Sequence, residues 1–472
     1  MTESLAVTAL PLAPARSFFG QPRALLYLAF TEAWERFSYY GMTSLLVLYM
    51  SQALFLPGRV GHIAGFAAYR AGVEAVFGPM STLALASQTY GLYTGFVYFT
   101  PLLGGWIADR VIGRRGAVVT GAVLMSGGHL AMAFDQSFLL ALLLLITGCG
   151  LLKGNISTQV GQLYAQDDAA GRARGFSIFS MAINVGAVAG PLICGLLAQL
   201  YGWHVGFGLA GLLMLIALAT YLAGYRHLNE SARGTKAREP AAPLTAVQKR
   251  AVAALIVAMA ITIPHSIAFY QNSNIGFVWV NGHVDRMVGG FAMPTAWFGS
   301  AVDSFVSIAC VPFLIVLWRW QARHGGEPGE ISKIGIGAAL AAIANLVLAG
   351  AALLPGRVSP LFSILYEAVL GVAFIWQWPT LLALVSRVAP QRLKSTLMGA
   401  AFLTLFVSNT IIGRIGALYE HMSPAMFWTL NAAIAASGAV LALLLRKRLG
   451  RVFEEEIDSL PPPCGEVEKS AA

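Results

Sequence analysis

The chain is predicted to be an all-α integral membrane protein with twelve membrane-spanning helices in two sets of six. Three observations predict this. Of 472 residues, 57% are hydrophobic and only 11% charged, against about 25% charged in a soluble protein. Apolar runs of the roughly 20 residues that a bilayer demands recur along the whole sequence. One charged, proline-bearing stretch, Arg226 to Arg250, divides those runs six and six.

In order, the apolar runs predict spans at 24–52, 85–108, 117–134, 137–164, 174–200, 204–226, 249–281, 296–322, 333–354, 359–388, 394–420 and 425–446. This gives a tail at 1–23, a first bundle at 24–226, a linker at 227–248, a second bundle at 249–446 and a tail at 447–472. Basic residues concentrate on alternate loops and the tails. The opposite loops hold Arg59, Arg70, Arg286 and Arg357. The positive-inside rule then places both termini in the cytoplasm and the chain in the cell inner membrane. The net charge of +9 is therefore chiefly a topology signal; no clustered basic patch on a soluble domain points to nucleic acid. Residues 1–23 lack the charge and apolar pattern of a cleaved leader, with Glu3, Pro11 and Pro14 interrupting it. The longest outer loop, Ser51 to about Leu83, is expected to hold a short amphipathic helix around 62–77. Cys149, Cys194, Cys310 and Cys464 show no metal-ligand spacing. No metal, cofactor or enzymatic nucleophile is expected, and the chain is read as a monomer whose partners are lipid, protons and a small solute.

The first span carries ionisable groups. In Glu32-Ala-Trp-Glu35-Arg36-Phe-Ser-Tyr39-Tyr40-Gly41 the acids and the base sit at i, i+3 and i+4, on one helical face. Charges at this depth are costly and persist where they face a protein interior or a wet path and move ions or substrate. The other reading is a self-satisfied ion pair that only fixes helix packing. Lys153, mid-span in the fourth run, calls for a carboxylate partner, with Glu32 and Glu35 as candidates, or else snorkels to the interface. Between spans two and three, Gly104 and Gly105 permit close helix approach, Asp109 caps or pairs at a helix end, and Arg110, Arg114 and Arg115 anchor the turn in the cytoplasm. Asp303 and Arg414 are expected near the outer face as solvated helix ends or as a gate pair. His129 and His265 are expected as core histidines, with a cavity position for His265 as the alternative.

The six-plus-six layout and the 104–115 loop resemble the major facilitator fold, in which two bundles enclose a substrate near the membrane midplane. The resemblance sharpens at Glu32–Gly41, which is similar to the ExxERFxYYG signature of the proton-dependent oligopeptide transporter (POT/PTR) family. Gly148-Cys-Gly-Leu-Leu-Lys153-Gly154-Asn155 is similar to its fourth-helix motif, with Gly154 in place of a proline. Phe176-Ser-Ile-Phe-Ser-Met-Ala-Ile-Asn184-Val-Gly186 and Tyr201-Gly-Trp-His-Val-Gly-Phe207 resemble further signatures, and weaker likeness continues through Met293–Phe298, Glu327-Pro328 and Ala389-Pro390. The short linker has no room for the two extra helices that many bacterial members carry.

This resemblance implies roles. Glu32, Glu35 and Arg36 match the proton-coupling set, and Lys153 the lysine that pairs with those acids and faces substrate. Tyr39, Tyr40 and Asn184 match cavity-lining positions. The second half departs from the family pattern. Thr43 stands where an arginine is usual, and Tyr270 where its seventh-helix glutamate partner is usual. Phe374 replaces the glutamate that receives a peptide amino group, Val302 an asparagine and Ala401 a tryptophan. Loss of both ends of one ion pair is physically coherent, since losing one would strand a buried charge. Tyr270 and Phe374 are therefore expected in an altered substrate pocket. The resemblance implies a proton-coupled symporter importing di-/tripeptides or peptide-like solutes by alternating access. The alternatives are a relative carrying a non-peptide or N-blocked anionic solute, and a proton-driven major facilitator exporter.

Overall fold

In a computed structural model that describes residues 16–17, 20–165, 168–228, 243–324 and 326–458, the chain is almost wholly helical. The first half holds α1 (Arg23–Tyr49), α2 (Phe66–Phe77), α3 (Thr82–Ile107), α4 (Gly113–Ala131), α5 (Phe138–Gln162), α6 (Ala169–Tyr201) and α7 (Trp203–Gly224). The second holds α8 (Ala246–Tyr270), α9 (Ile275–His283), α10 (Ser300–His324), α11 (Glu330–Ala351), α12 (Pro360–Val388), α13 (Lys394–Gly416) and α14 (Pro424–Asp458). Most of the linker, 229–242, lies outside the described residues, as do 1–15 and 459–472.

Local chemistry sets several starts. Ser81 accepts the Ala84 amide at the head of α3, Asp168 accepts Gly171 N–H before α6, and Thr245 and Gln248 form a reciprocal capping box on α8. Ser359 caps α12 with Pro360 at its first turn, where the missing N–H costs nothing. The short helix expected around 62–77 is α2.

Nine helices among the described residues are long and apolar enough to cross a membrane: α5 to α8 and α10 to α14. Helices α1 and α3 are as long but fall short in apolarity. They carry Glu32, Glu35 and Arg36, and Ser87, Gln88, Thr89, Tyr90 and Thr94, all buried among other helices rather than facing lipid. The seventh predicted span is broken rather than continuous. The helix stops at Tyr270, a single 3₁₀ turn covers Gln271–Ser273, and Asn274 (φ −110°, ψ −100°) leaves helical geometry before α9. Buried amide side chains tie this break to its neighbours: Gln271 donates to the Ile412 carbonyl at 3.1 Å and Asn274 to Ser87 Oγ at 2.7 Å. Residues 447–458, assigned from the sequence to a tail, are the last turns of α14. Leu449 and Phe453 bury against α8, and Arg250 pairs with Glu455 at 2.6 Å.

Small residues let these helices touch backbone to backbone, as expected where lipid provides no hydrophobic drive for association. A Cβ at Gly186 or Gly190 would strike the carbonyls of Ala33 or Phe37 on α1, and one at Gly104 the Gly150 carbonyl on α5. Gly105 is open and takes no part in that contact. Helices α1, α6 and α7 pack together, as do α3, α4 and α5; in the second half α11 packs on both α12 and α14, and α14 on α8. The halves meet along α3/α13 and α6/α10.

Hydrogen bonds joining the halves cluster from the Ser81 end of α3 to Tyr98. Ser81 bonds Glu420, Gln88 donates to the Thr410 carbonyl at 3.2 Å, and Thr94 donates to Asn409 Oδ1 at 2.9 Å. Across α6 and α10, Trp297 Nε1 donates to the Leu192 carbonyl at 2.9 Å. The glycines make this seal possible: a Cβ at Gly91 would run into the Asn409 carbonyl, and one at Gly416 into Ser87 Oγ. Gly91→Leu is therefore expected to part α3 from α13 at this end, at a cost of about 1–3 kcal/mol. Spin labels at positions 82 and 421 should read a longer distance in the variant; an unchanged distance would mean that this contact does not hold the seal.

Candidate functional site

Between the halves lies a cavity of about 320 Å³. Eight of the sequence-singled residues line it: Glu32, Arg36, Tyr39, Tyr40, Lys153, Asn184, Tyr270 and Phe374. The helical period explains the α1 group, since residues 32, 36, 39, 40 and 43 fall on one face. Glu35 is off the wall, fully buried behind Arg36.

Arg36 organises that face. Its Nη2 donates to Glu35 Oε1 at 2.7 Å and its Nε also meets Glu35, which makes the pair bidentate. The same Nε lies 3.2 Å from Glu32 Oε1. All three side chains are buried. Glu32 keeps a second oxygen, Oε2, buried with no partner. The guanidinium also lies 5.4 Å from the centre of the Tyr39 ring.

Lys153 is placed differently from the expectation that it pairs with these acids. Among the described residues it makes no ion pair with Glu32 or Glu35. Its ammonium lies 4.7 Å from the centre of the Tyr98 ring, on the cavity wall. Arg36 takes both oxygens of Glu35 and one of Glu32, and the face of a tyrosine seats the partly desolvated lysine, which stays within electrostatic range of Glu32. Counted together, Glu32 and Glu35 against Arg36 and Lys153 leave this charge set formally neutral.

The second half supplies a less polar wall. Phe269, Phe374, Trp378, Phe402 and Leu405 line it. Tyr270 reaches across to the first half, its hydroxyl 3.1 Å from that of Tyr98. Thr43 is also on the wall, but Val302 and Ala401 are not. Asp303 corrects the outer-face expectation: it is buried, lines the cavity and meets Asn272, whereas Arg414 is exposed and makes no ion pair with it among the described residues. His129 and His265 are both buried off the wall, His265 stacked on Phe269 at 5.9 Å.

Sequence reasoning missed Tyr90, Thr94 and Tyr98 on α3, all on the wall. Their i, i+4, i+8 spacing was the available signal, a polar stripe in a span read only as apolar. The Gly104–Arg115 loop lies away from the cavity. A π-type turn at Ala108–Ile112 and Gly113 at φ +75° reverse the chain there. Arg114 pairs with Asp109 at 3.2 Å, Arg110 covers the Trp106 ring, and Arg115 sits 4.9 Å over Tyr225 at the end of α7.

Removing the cation from this set should be felt throughout the fold. Arg36→Met leaves two buried carboxyls unmatched, a loss of roughly 3–5 kcal/mol. The thermal unfolding midpoint in detergent should drop in this variant. It should recover when Glu32→Gln and Glu35→Gln are added. A wild-type midpoint in Arg36→Met alone would contradict the arrangement.

Comparison with known proteins gives a consistent picture. The family model described as the POT family matches residues 115–244 and 242–430. An uncharacterized transporter, YclF, of Bacillus subtilis (strain 168) is 29% identical over 91% of this chain and 95% of its own length. The peptide transporter YePEPT of Yersinia enterocolitica is 29% identical over the same shares, and a di-/tripeptide transporter of Lactococcus lactis subsp. cremoris 28% identical over 92% and 96%. The crystal structure of a peptide transporter POT in complex with sulfate superposes with a TM-score of 0.81 at 25% identity, covering 93% of this chain and 97% of that one. With the buried charge set and the central cavity, these matches establish that the chain is a multi-pass membrane transporter, not an enzyme, and that it belongs to the POT family.

Proposed function

We propose that this protein is a proton-coupled symporter that imports di-/tripeptides or peptide-like small solutes by alternating access. Twelve spans in two six-helix bundles would enclose the site, with both termini cytoplasmic in the cell inner membrane. The carrying observation is a formally neutral set of two acids and two bases beside the cavity, in which Lys153 sits on an aromatic face rather than in an ion pair among the described residues. The peptide-transporting relatives support the cargo class.

The geometry suggests how the cycle runs. Arg36 stays with Glu35 through the bidentate pair, the stronger of its two contacts. Glu32, held by one longer contact and with a free oxygen, is the acid that takes the proton. Protonation leaves the wall with one positive charge in excess. Lys153 then has no competing carboxylate and takes the carboxylate of the solute; a cation–π seat is worth about 0.5–2 kcal/mol, less than a desolvated ion pair. Release of the proton restores neutrality and expels the anion. With the termini inside, the Ser81 end faces out, so the closed seal there belongs to the inward-facing state. The basic 104–115 loop would then act at the cytoplasmic end of that movement.

Glu32→Gln is expected to abolish uptake driven by an imposed proton gradient in proteoliposomes, because an amide cannot exchange the proton. Counterflow of labelled substrate should survive in part. Gradient-driven accumulation at the wild-type level would remove the coupling role from Glu32.

A second reading of the cargo rests on one observation. Phe374 and Phe269 pack with ring centres 5.7 Å apart where an amino-group acid is usual, which makes that end of the cavity apolar. An ammonium seated against these two rings has no carboxylate there and is heavily penalised, so N-blocked or apolar-ended peptides fit this position better than free ones; Asp303, the acid lining the cavity in this half, is held by Asn272 and Ser304. Phe374→Glu should shift preference toward free dipeptides over their N-acetyl forms by tenfold or more in competition assays. A wild type that already prefers the free amine tenfold, about 1.4 kcal/mol, would overturn this second reading.

A further inference from the structure

The wall that lacks the expected acids is not free of acids. Asp303 on α10 and Glu367 on α12 are 8% and 1% exposed. They share one donor group: Asn272 Nδ2, in the break between α8 and α9, lies 3.5 Å from Asp303 Oδ2 and 3.2 Å from Glu367 Oε2. The helices are pressed together here, since Ser307 donates to the Gly371 carbonyl at 2.9 Å and a Cβ at Gly371 would meet the Asp303 backbone. Ser304 Oγ adds a donor to Asp303 Oδ1 at 3.2 Å.

No cation answers these two acids among the described residues. Arg36 is held by Glu32 and Glu35, and Lys153 by Tyr98. The groups that face the pair are neutral: Asn272 from the break in helix seven, Ser304 on α10, Tyr40 on α1 and Tyr366 on α12. Tyr366 is an independent sign of a missing ligand. Its hydroxyl is buried, has no hydrogen-bond partner among the described residues and lies within electrostatic range of both carboxyls. Asp303 also opens onto the cavity, which gives the pair a route to an ion.

We propose that Asp303 and Glu367 form a second proton-binding site, holding one proton between them at neutral pH. Two ionised carboxylates that share one amide donor in a buried site repel each other and lose their hydration, and binding one proton removes most of both costs. The proton adds to one of the two carboxyls, and no other bond changes. The site lies across the cavity from Glu32, so each half of the molecule carries its own protonatable group. A role for this proton in transport rests on the reading given above; its presence does not.

The test is infrared absorption of the purified full-length protein in lipid nanodiscs at neutral pH, in the C=O region of protonated carboxylic acids. The wild-type spectrum minus that of Asp303→Asn/Glu367→Gln should contain one such band. Identical spectra in that region would overturn the proposal. Should the double variant fail to fold, Glu367→Gln alone decides it. The acid signal should then weaken or move, because the neighbouring negative charge that favours protonation is gone, and a band unchanged in position and intensity would overturn it. A wild type that shows the band but no proton-driven uptake would leave this site standing and remove the symport reading instead.

Discussion

Everything at this site depends on one guanidinium bound to two carboxylates inside a membrane. Arg36 is buried, and so are Glu32 and Glu35. Taken singly, each of these charges would cost several kcal/mol to hold away from water. Together they are tolerable because the planar fork of arginine fits one carboxylate with two bonds and still reaches the second. Lysine has no such geometry. The two contacts are unequal, and on the proposed reading that inequality gives one acid a structural task and leaves the other free to exchange.

The second consequence concerns Lys153. Because Arg36 takes both acids, the lysine is left on an aromatic face at the cavity wall, and the aromatic partner belongs to α3, which also forms the main seam between the halves. Tyr98 therefore touches the charge set through its ring and the second half through its hydroxyl. A change in what Lys153 binds is thereby felt at the seam. The two halves also differ in electrostatics. One wall balances two acids with two bases; the other holds two acids with only neutral groups around them.

Much of this was legible in the sequence, for physical reasons that can be named. Long apolar runs announce helices in lipid because a helix satisfies its backbone within one segment there. Ionisable residues at i, i+3 and i+4 announce a buried face because lipid would reject them. What was not legible depends on neighbours distant in the chain. The break at Gln271–Asn274 is tied down by amides bonding Ile412 and Ser87; without proline or glycine at 271–274, the polar cluster Gln-Asn-Ser-Asn was its one local mark. Asp303 looked like a helix-end acid because its partners, Asn272 and Glu367, lie 31 and roughly 60 residues away and meet it only when α10 folds against α12. The loss of a Lys153 carboxylate pair was also hidden, because competition between two cations for the same acids is decided by reach and geometry rather than by spacing. The three α3 residues on the wall show the reverse case: their spacing carried the signal, and the apolar setting obscured it.

The central claim is that a proton moves inward with each solute through this charge set. Its most direct measurement is the current evoked by a dipeptide of zero net charge, zwitterionic or N-blocked with one basic side chain, from proteoliposomes on a solid-supported membrane, with no ion gradient other than that of the proton. The account predicts an inward positive current that grows with the proton gradient and disappears in Glu32→Gln. Peptide entry without net charge movement, or a current unaffected by that substitution, would contradict it.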